Sequence, residues 1–246
     1  MELQIYHLVL IAFISLGGSY VQSVTGFGYG IFVMMFYPLI LAYTESNILS
    51  TLISVFTSLW LVITLFRKIH WKNIIFTLIG SFFTTYFAVE FVKMQTNTVL
   101  TLILGAALLL LSIYFIFFSD KIHIKPTWYA GLIAGIASGI MGGMFSMGGP
   151  PVVIYYLHSE KSQENYLATL SAYFVISDIF SIIMKVSAGF VTKNVFISSI
   201  FAAIGLVFGI VFGHITRKKM NAKLLKKAIY AVMMLSGIFN IVTSII

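Results

Sequence analysis

The sequence contains no cysteine and very little charge. Of its 246 residues, 15 are Lys or Arg and 7 are Asp or Glu, so only 9% of the chain is charged. The absence of cysteine excludes disulfide bonds, thiolate metal sites and cysteine nucleophiles. A soluble domain carries about 25% charged residues. Because 60% of the residues are hydrophobic and the mean hydropathy is +1.03, the composition predicts an all-α polytopic membrane protein.

The net charge of +8 has two readings. In a soluble protein it favours nucleic-acid binding, whereas in a membrane protein it is typical of cytoplasmic loops rich in Lys and Arg. We therefore expect a lipid bilayer and no nucleic acid as partner, and a homo-oligomer is compatible with the sequence. The N-terminal residues 1–4 lack the basic region of a cleavable signal, so we interpret the chain as mature sequence.

Hydrophobic runs predict the order of the membrane elements. From Leu3 to Thr44 the chain has no Asp, Glu, Lys or Arg, and the runs that follow have about the 20 residues that a bilayer crossing needs. We expect two repeats, 1–120 and 126–246. The first contains a helical hairpin at 3–44 and spans at 46–66, 73–91 and 98–118, and the second contains a hairpin at 126–158 and spans at 165–184, 195–215 and 228–246.

Internal similarity supports this division. The segments Asn47–Phe56 and Asn165–Phe174 share Asn, Leu, Thr, Leu and Phe at an offset of 118 residues. Small residues also recur at every fourth position, which predicts close packing of helices and no further role. These sets are Ser15, Ser19 and Ser23 with Gly131, Gly135 and Gly139, and Gly80, Thr84 and Ala88 with Gly205, Gly209 and Gly213. Internal repeats of this kind are typical of secondary transporters.

The distribution of Lys and Arg decides between two topologies. Four plain crossings per repeat divide the basic residues 7 to 8, which shows no bias. If each first element is a hairpin that returns to its own side, the division becomes 12 to 3, with Lys93, Lys185 and Lys193 on the minor side. Only the second division agrees with the positive-inside rule. It predicts inverted repeats, each a hairpin plus three crossings, with both termini outside the cytoplasm. Whether the hairpins are re-entrant or cross fully stays open.

Glycines interrupt both hairpins. The first break is Gln22–Gly30 and the second is Gly142–Pro151. Exposed backbone amides beside a helix start form anion sites, so the two breaks could hold an anion near the midplane through amides and hydroxyls, without a buried Lys or Arg. The alternative is that these glycines only permit tight packing. Asn47 and Asn165, and Thr51 and Thr169 one turn later, could face the same cavity, although the asparagines also fit helix N-caps. The candidate substrate-binding residues are Gln22, Thr25, Gly26, Phe27, Gly28, Asn47, Thr51, Gly142, Gly143, Ser146, Gly148, Gly149, Asn165 and Thr169.

Asp178 is the one acidic residue well inside a span. An ionisable group at that depth is costly, so Asp178 is a candidate for carrying a coupling proton. The alternative is a structural pair with Lys185, two turns along the same helix face. The sequence offers no catalytic constellation, no metal-ligand spacing and no cofactor motif, so we expect neither an enzyme nor a bound cofactor.

The two glycine motifs carry a family resemblance. Gln22-Ser-Val-Thr-Gly-Phe-Gly-Tyr-Gly followed by Pro38, and Gly135-Ile-Ala-Ser-Gly-Ile-Met-Gly-Gly followed by Pro150, resemble the paired motifs of the sulfite exporter TauE/SafE family of permeases. The resemblance implies transport of a small anion across the cell membrane, often a sulfur oxyanion or sulfonate such as sulfite, thiosulfate or sulfoacetate. A passive anion channel and a non-catalytic membrane subunit of a larger complex are the alternatives. Direction of transport and coupling ion stay open.

Overall fold

The computed structural model describes residues 4–117, 124–216 and 222–245. Every element in these ranges is helical, which confirms the prediction of an all-α membrane protein. The sequence predicts a polar break at 120–125 and a basic loop at 217–227, and residues 120–123 and 217–221 of these lie outside the described residues. The remainder of the predicted loop, from Ala222, belongs to the last helix. The helices are α1 (Ile5–Thr25), α2 (Tyr29–Met34), α3 (Tyr43–Leu65), α4 (Trp71–Lys93), α5 (Asn97–Phe117), α6 (Trp128–Phe145), α7 (Gly149–Ser159), α8 (Gln163–Ser187), α9 (Lys193–Thr216) and α10 (Ala222–Ile245), with short 3-10 turns at Tyr37–Leu39 and Phe66–Lys68.

Seven of these helices, α1, α3–α6, α8 and α9, are long and apolar enough to cross a membrane. A helix of 21 residues such as α1 is about 31 Å long, close to the hydrocarbon thickness of a bilayer. Many of their large apolar side chains are exposed, for example Phe13, Phe83 and Phe208, as expected of surfaces that face lipid. The division of the chain into repeats 1–120 and 126–246 stays a prediction.

Both glycine breaks reverse the chain. After α1, Gly26 and Gly28 adopt positive φ angles of 86° and 104°, which a residue with a side chain rarely adopts. The chain then folds back, so that α2 packs along α1 and Tyr29 Oη lies 3.0 Å from Ser15 Oγ. The second reversal follows α6 at Ser146, and α7 returns against α6. Apolar helical structure covers only residues 29–39 in the first return arm and 149–159 in the second, about half the length of a crossing.

The four sets of small residues pack in two pairs, each of which joins a helix of the first half to a helix of the second half. On α9, Gly205, Gly209 and Gly213 lie against α1, where a Cβ on Gly213 would come within 2.5 Å of the Ser23 Cβ. On α6, glycines lie against α4 in the same way, and a Cβ on Gly143 would be 2.7 Å from the Ala88 Cβ. In each pair the contacts advance together along both helices, so the two helices run parallel. These helices pack as closely as the spacing predicts, and the first arm of each hairpin packs on a helix of the other half.

Other large helix contacts also join the first half of the chain to the second. Helices α3 and α8 pack on each other at the centre, α3 also contacts α9 and α8 also contacts α4. Helices α5 and α10 form a further pair in which a Cβ on Gly105 would be 2.8 Å from the Gly237 carbonyl oxygen. The contact of α3 with α9 thus corresponds to that of α8 with α4, as the contact of α1 with α9 corresponds to that of α6 with α4.

Two expectations from the sequence are wrong. Asn47 and Asn165 are not N-caps, because α3 begins after Ala42 and α8 begins after Ser162, whose hydroxyl caps the helix by accepting from the Asn165 amide at 3.2 Å. Lys185 does not belong to an aqueous loop, since its side chain is fully buried. Without Lys185, fewer basic residues remain on the minor side of the membrane, so the bias of Lys and Arg toward the other side becomes stronger.

Candidate functional site

The two helix breaks meet at one cavity. A Cβ added to Gly30, one turn past the first reversal, would overlap the carbonyl oxygen of Ser146 in the second. Phe27 likewise packs on Gly149, where an added Cβ would be 3.2 Å from the phenyl ring. The cavity beside this contact has a volume of about 40 Å³, room for a few water molecules. Its lining includes 28–31 of the first break and 146–149 of the second, together with side chains of α1, α3, α4, α6 and α8.

Backbone amides without acceptors line this cavity. The first intrahelical bond of α2 is from Phe32 N to Gly28 O at 3.0 Å, so the amides of 28–31 have no hydrogen-bond acceptor among the described residues. In the second break the same holds for Gly148 and Gly149. Pro150 and Pro151 follow directly and have no N–H group, so the second break offers fewer donors than its length indicates.

Hydroxyl groups form most of the remaining cavity wall. Ser138 donates to the Gly148 carbonyl oxygen at 2.5 Å and accepts from Tyr173 Oη at 2.8 Å, so one serine links the second break to α8. Thr85 donates to the Gly139 carbonyl oxygen at 3.3 Å. Ser181 Oγ is buried and has no hydrogen-bond partner among the described residues, which leaves it free to bind a small polar molecule in the cavity.

A lysine lies directly behind this wall. The side chain of Lys185 is 0% exposed, and its ammonium donates to Thr51 Oγ1 at 2.5 Å, to Ser146 Oγ at 3.0 Å and to the Gly142 carbonyl oxygen at 3.4 Å. None of the described carboxylates lies within 4.0 Å of it. From the sequence, Lys185 is assigned to the minor side of the Lys and Arg division and named as a partner for Asp178, and its place at the second break is not predicted. The spacing of seven residues from Asp178 was the one signal, because it puts both residues on the same face of α8.

Asn47 fixes the second break from α3. Its side-chain amide donates to the carbonyl oxygens of Met144 at 2.5 Å and Gly143 at 3.4 Å, and its Oδ1 lies 3.0 Å from Ser146 Oγ. Tyr43 Oη donates to the same Met144 oxygen at 2.6 Å. These bonds satisfy carbonyl groups at the C-terminal end of α6 and hold Ser146 at a φ of 56°, the one positive φ among the described non-glycine residues.

The structure brings together only part of the expected site. Gln22, Gly28, Gly142, Ser146, Gly148 and Gly149 line the cavity, and Asp178, which is half-buried, lines it as well. Asn47 and Thr51 contact Ser146 from behind. Thr25, Gly26, Phe27 and Gly143 belong to the breaks but are not part of the cavity wall. The Thr25 hydroxyl lies 2.6 Å from the Phe27 carbonyl oxygen and so closes the first turn on itself.

The structure places Asn165 and Thr169 elsewhere. Asn165 Nδ2 lies 3.1 Å from His70 Nε2, and Thr169 Oγ1 accepts from the His70 amide at 3.1 Å. The same histidine lies 2.6 Å, by Nδ1, from the carboxylate of Glu160, which also accepts from Asn73 Nδ2 at 2.8 Å. This polar cluster joins the connection before α4 to the connection before α8. The residues that match Asn47 and Thr51 in the repeat therefore contact a loop and not a helix break.

Comparison with known proteins identifies the family of the chain. Nothing matched among the curated proteins or the solved structures. The model of the family described as Sulfite exporter TauE/SafE matches residues 10–240, nearly the whole chain, and the resemblance seen in the two glycine motifs is confirmed. Among the described residues no group of three His, Asp or Glu side chains is placed to hold a metal ion. The chain belongs to the sulfite exporter TauE/SafE family of membrane transporters, which implies transport of sulfite-like anions.

Proposed function

We propose that the protein is a secondary transporter that moves a small sulfur-containing oxyanion or organosulfonate across the cytoplasmic membrane by alternating access. The observation that carries this proposal is the meeting of both helix breaks at one polar cavity. Transporters with internal repeats bind their substrates where discontinuous helices meet, and the free amides at such breaks attract anions. Sulfite, thiosulfate and sulfoacetate-like sulfonates present the oxygen atoms that amides and hydroxyls can bind.

Neutral donors of both breaks are available to bind the anion. The amides of Gly28 and Gly30 on one side and of Gly148 and Gly149 on the other lack acceptors, and Ser181 Oγ lacks a partner. A sulfonate or sulfite group accepts several hydrogen bonds at once, which suits donors that converge from two directions. The Ser146 hydroxyl lies at the same place and would join them after a small rearrangement of its bonds.

Alternating access requires the cavity to open, because about 40 Å³ is too small for a hydrated oxyanion. The helix pairs α1 with α9 and α4 with α6 are closely packed at their glycines, so we expect each pair to move as one unit. The central helices α3 and α8 lie between them. We infer that the two units rock against each other about the central pair, so that the breaks face each side of the membrane in turn.

The expected topology completes the proposal. Reversal of the chain at both breaks and crosswise packing of the two halves support inverted repeats of a hairpin plus three crossings. The bias of Lys and Arg then puts both termini outside the cytoplasm.

Transport by the purified, reconstituted protein tests the proposal. Proteoliposomes are loaded with unlabelled sulfite, thiosulfate or a short sulfonate, and entry of the same labelled anion is measured against protein-free liposomes. We expect uptake that saturates with concentration, which a passive channel does not show. The absence of saturable flux for every anion would contradict the proposal.

A further inference from the structure

None of the carboxylates in the described part of the chain lies within 4.0 Å of the buried Lys185 ammonium. It donates to two hydroxyls and one carbonyl oxygen, and the nearest acidic group on its face of α8 is Asp178 at the cavity wall. The two charges interact without forming an ion pair within 4.0 Å. A cation in a low-dielectric interior is costly unless an anion compensates it. The position of Lys185 next to Ser146 and Gly142, which both line the cavity, makes a bound anion the obvious compensation.

Three residues of α8 lie along one face of the helix, two of them at the cavity wall and the third behind it. Asp178, Ser181 and Lys185 follow one another at i, i+3 and i+7, and such residues share a helix face. Ser181 is only 4% exposed, lines the cavity and has no hydrogen-bond partner among the described residues. An unsatisfied hydroxyl between a carboxylate and an ammonium is a binding position for an oxygen atom of a ligand.

We propose that Lys185 is the cationic residue that pairs with the transported anion, that Ser181 binds one of its oxygens, and that Asp178 takes up one proton for each monoanion bound. This inference rests on the proposed transport function and specifies the charge of its substrate. In the empty protein Lys185 and Asp178 balance each other. In the loaded protein the anion balances Lys185, and Asp178 is neutral because it has bound a proton from the side from which the anion came.

Charge counting around the cavity gives the stoichiometry. The titratable groups that line the cavity are Asp178, Tyr29 and Tyr173, and Lys185 lies behind the wall at Ser146. Both phenols are engaged, Tyr29 Oη with Ser15 Oγ at 3.0 Å and Tyr173 Oη with Ser138 Oγ at 2.8 Å. In the described parts of α1, α3, α4 and α6, the side chains that face the cavity are uncharged. One carboxylate accepts one proton, so the site suits a monoanion such as hydrogen sulfite or a sulfonate. A dianion would leave a net buried charge, which is unfavourable.

Exchange and net uptake in proteoliposomes separate the roles of the two residues. Exchange of labelled for unlabelled anion uses only the loaded protein, whereas net uptake also needs the empty protein to return. We expect Asp178→Asn, which mimics the protonated group, to retain exchange and to lose both net uptake and the accompanying change of internal pH, followed with a trapped fluorescent dye. Lys185→Met should reduce exchange at least about ten-fold, because it removes a charge-assisted hydrogen bond.

Lys193→Gln is the matched control for Lys185→Met. Lys193→Gln removes an exposed positive charge at the start of α9 and should leave exchange and uptake unchanged. Asp178→Asn combined with Lys185→Met contains no buried charge at this site, so it should fold, elute as a single species and still fail to exchange the anion. The inference is overturned if either Lys185 variant exchanges the anion at the wild-type rate and with the wild-type half-saturation concentration. Net uptake that is still linked to pH in Asp178→Asn overturns it as well. Wild-type protein without any exchange would instead refute the transport function itself.

Discussion

Lys185 and Ser146 are joined by a hydrogen bond of 3.0 Å that connects the last turns of α8 to the break between α6 and α7. The bond links a buried ammonium to the one described non-glycine residue with a positive φ. Backbone strain of this kind persists only where surrounding contacts maintain it, and it is concentrated at functional sites. The second break is thus held by contacts from α3 and α8, which would have to rearrange when an anion binds.

Replacing Ser146 by glycine or by alanine should separate strain from hydrogen bonding. Both changes remove the hydroxyl that accepts from Lys185, so both should slow anion uptake. Only alanine keeps the cost of a φ near 56°, about 1–2 kcal/mol for a residue with a Cβ. We therefore expect Ser146→Gly to be the more stable variant by about that amount, measured by thermal unfolding in detergent. Equal stability of the two variants would show that the break is not strained.

The asparagines related by the repeat provide a matched pair of substitutions. Asn47 is fully buried and satisfies the Met144 carbonyl oxygen, so Asn47→Ala should lower stability by about 1–3 kcal/mol and impair transport. Asn165 is half-buried and its hydrogen bonds lie in the connection to His70, so Asn165→Ala should change stability by less than about 0.5 kcal/mol. Unfolding curves and uptake rates of both variants test this difference. Similar losses in the two would mean that the repeat positions are equivalent after all.

The contrast between these asparagines also shows how far the sequence could predict the site. Glycine content located both helix breaks, because non-helical backbone in an apolar run has few other signatures. Similarity between the halves put Asn47 and Asn165 in equivalent places, but only Asn47 contacts a break. A repeat in sequence does not require both halves to adopt the same conformation at one time, and alternating access requires that they differ.

Lys185 was misplaced for a different physical reason. Lys185 comes directly after an apolar stretch and shortly before the loop at Gly189. Hydropathy therefore assigns it to the membrane interface, where lysine side chains usually extend toward water. In the fold, hydroxyls of Thr51 and Ser146 from distant segments converge on the ammonium. These hydrogen bonds compensate the burial of the ammonium. Thr51 is more than a hundred positions from Lys185 along the chain, so no local sequence pattern reveals the contact.

Because the two breaks are in contact at Gly30, a single methyl group added there should impair transport. A Cβ on Gly30 would overlap the Ser146 carbonyl oxygen, so Gly30→Ala must separate the breaks and should reduce the uptake rate at least about ten-fold. Gly189→Ala is the control, because Gly189 has a φ of 82° but no atom within 4 Å of an added Cβ. It should unfold more easily by about 1 kcal/mol and transport normally. Normal uptake by Gly30→Ala would show that the observed contact is not needed in the transport cycle.

The cluster around His70 yields a prediction about stability and not about binding. The Glu160 side chain is 0% exposed and is engaged by His70 at 2.6 Å and Asn73 at 2.8 Å. Glu160→Gln replaces one accepting oxygen by a donor and leaves a buried group unsatisfied, which should cost about 1–3 kcal/mol of folding free energy. Glu164→Gln removes a carboxylate that is 65% exposed and 3.5 Å from Lys68, and pairs of this kind contribute at most about 1 kcal/mol. Thermal unfolding in detergent compares the two variants. If Glu164→Gln were the less stable protein, the buried cluster would not be what holds the connection before α4 to the connection before α8.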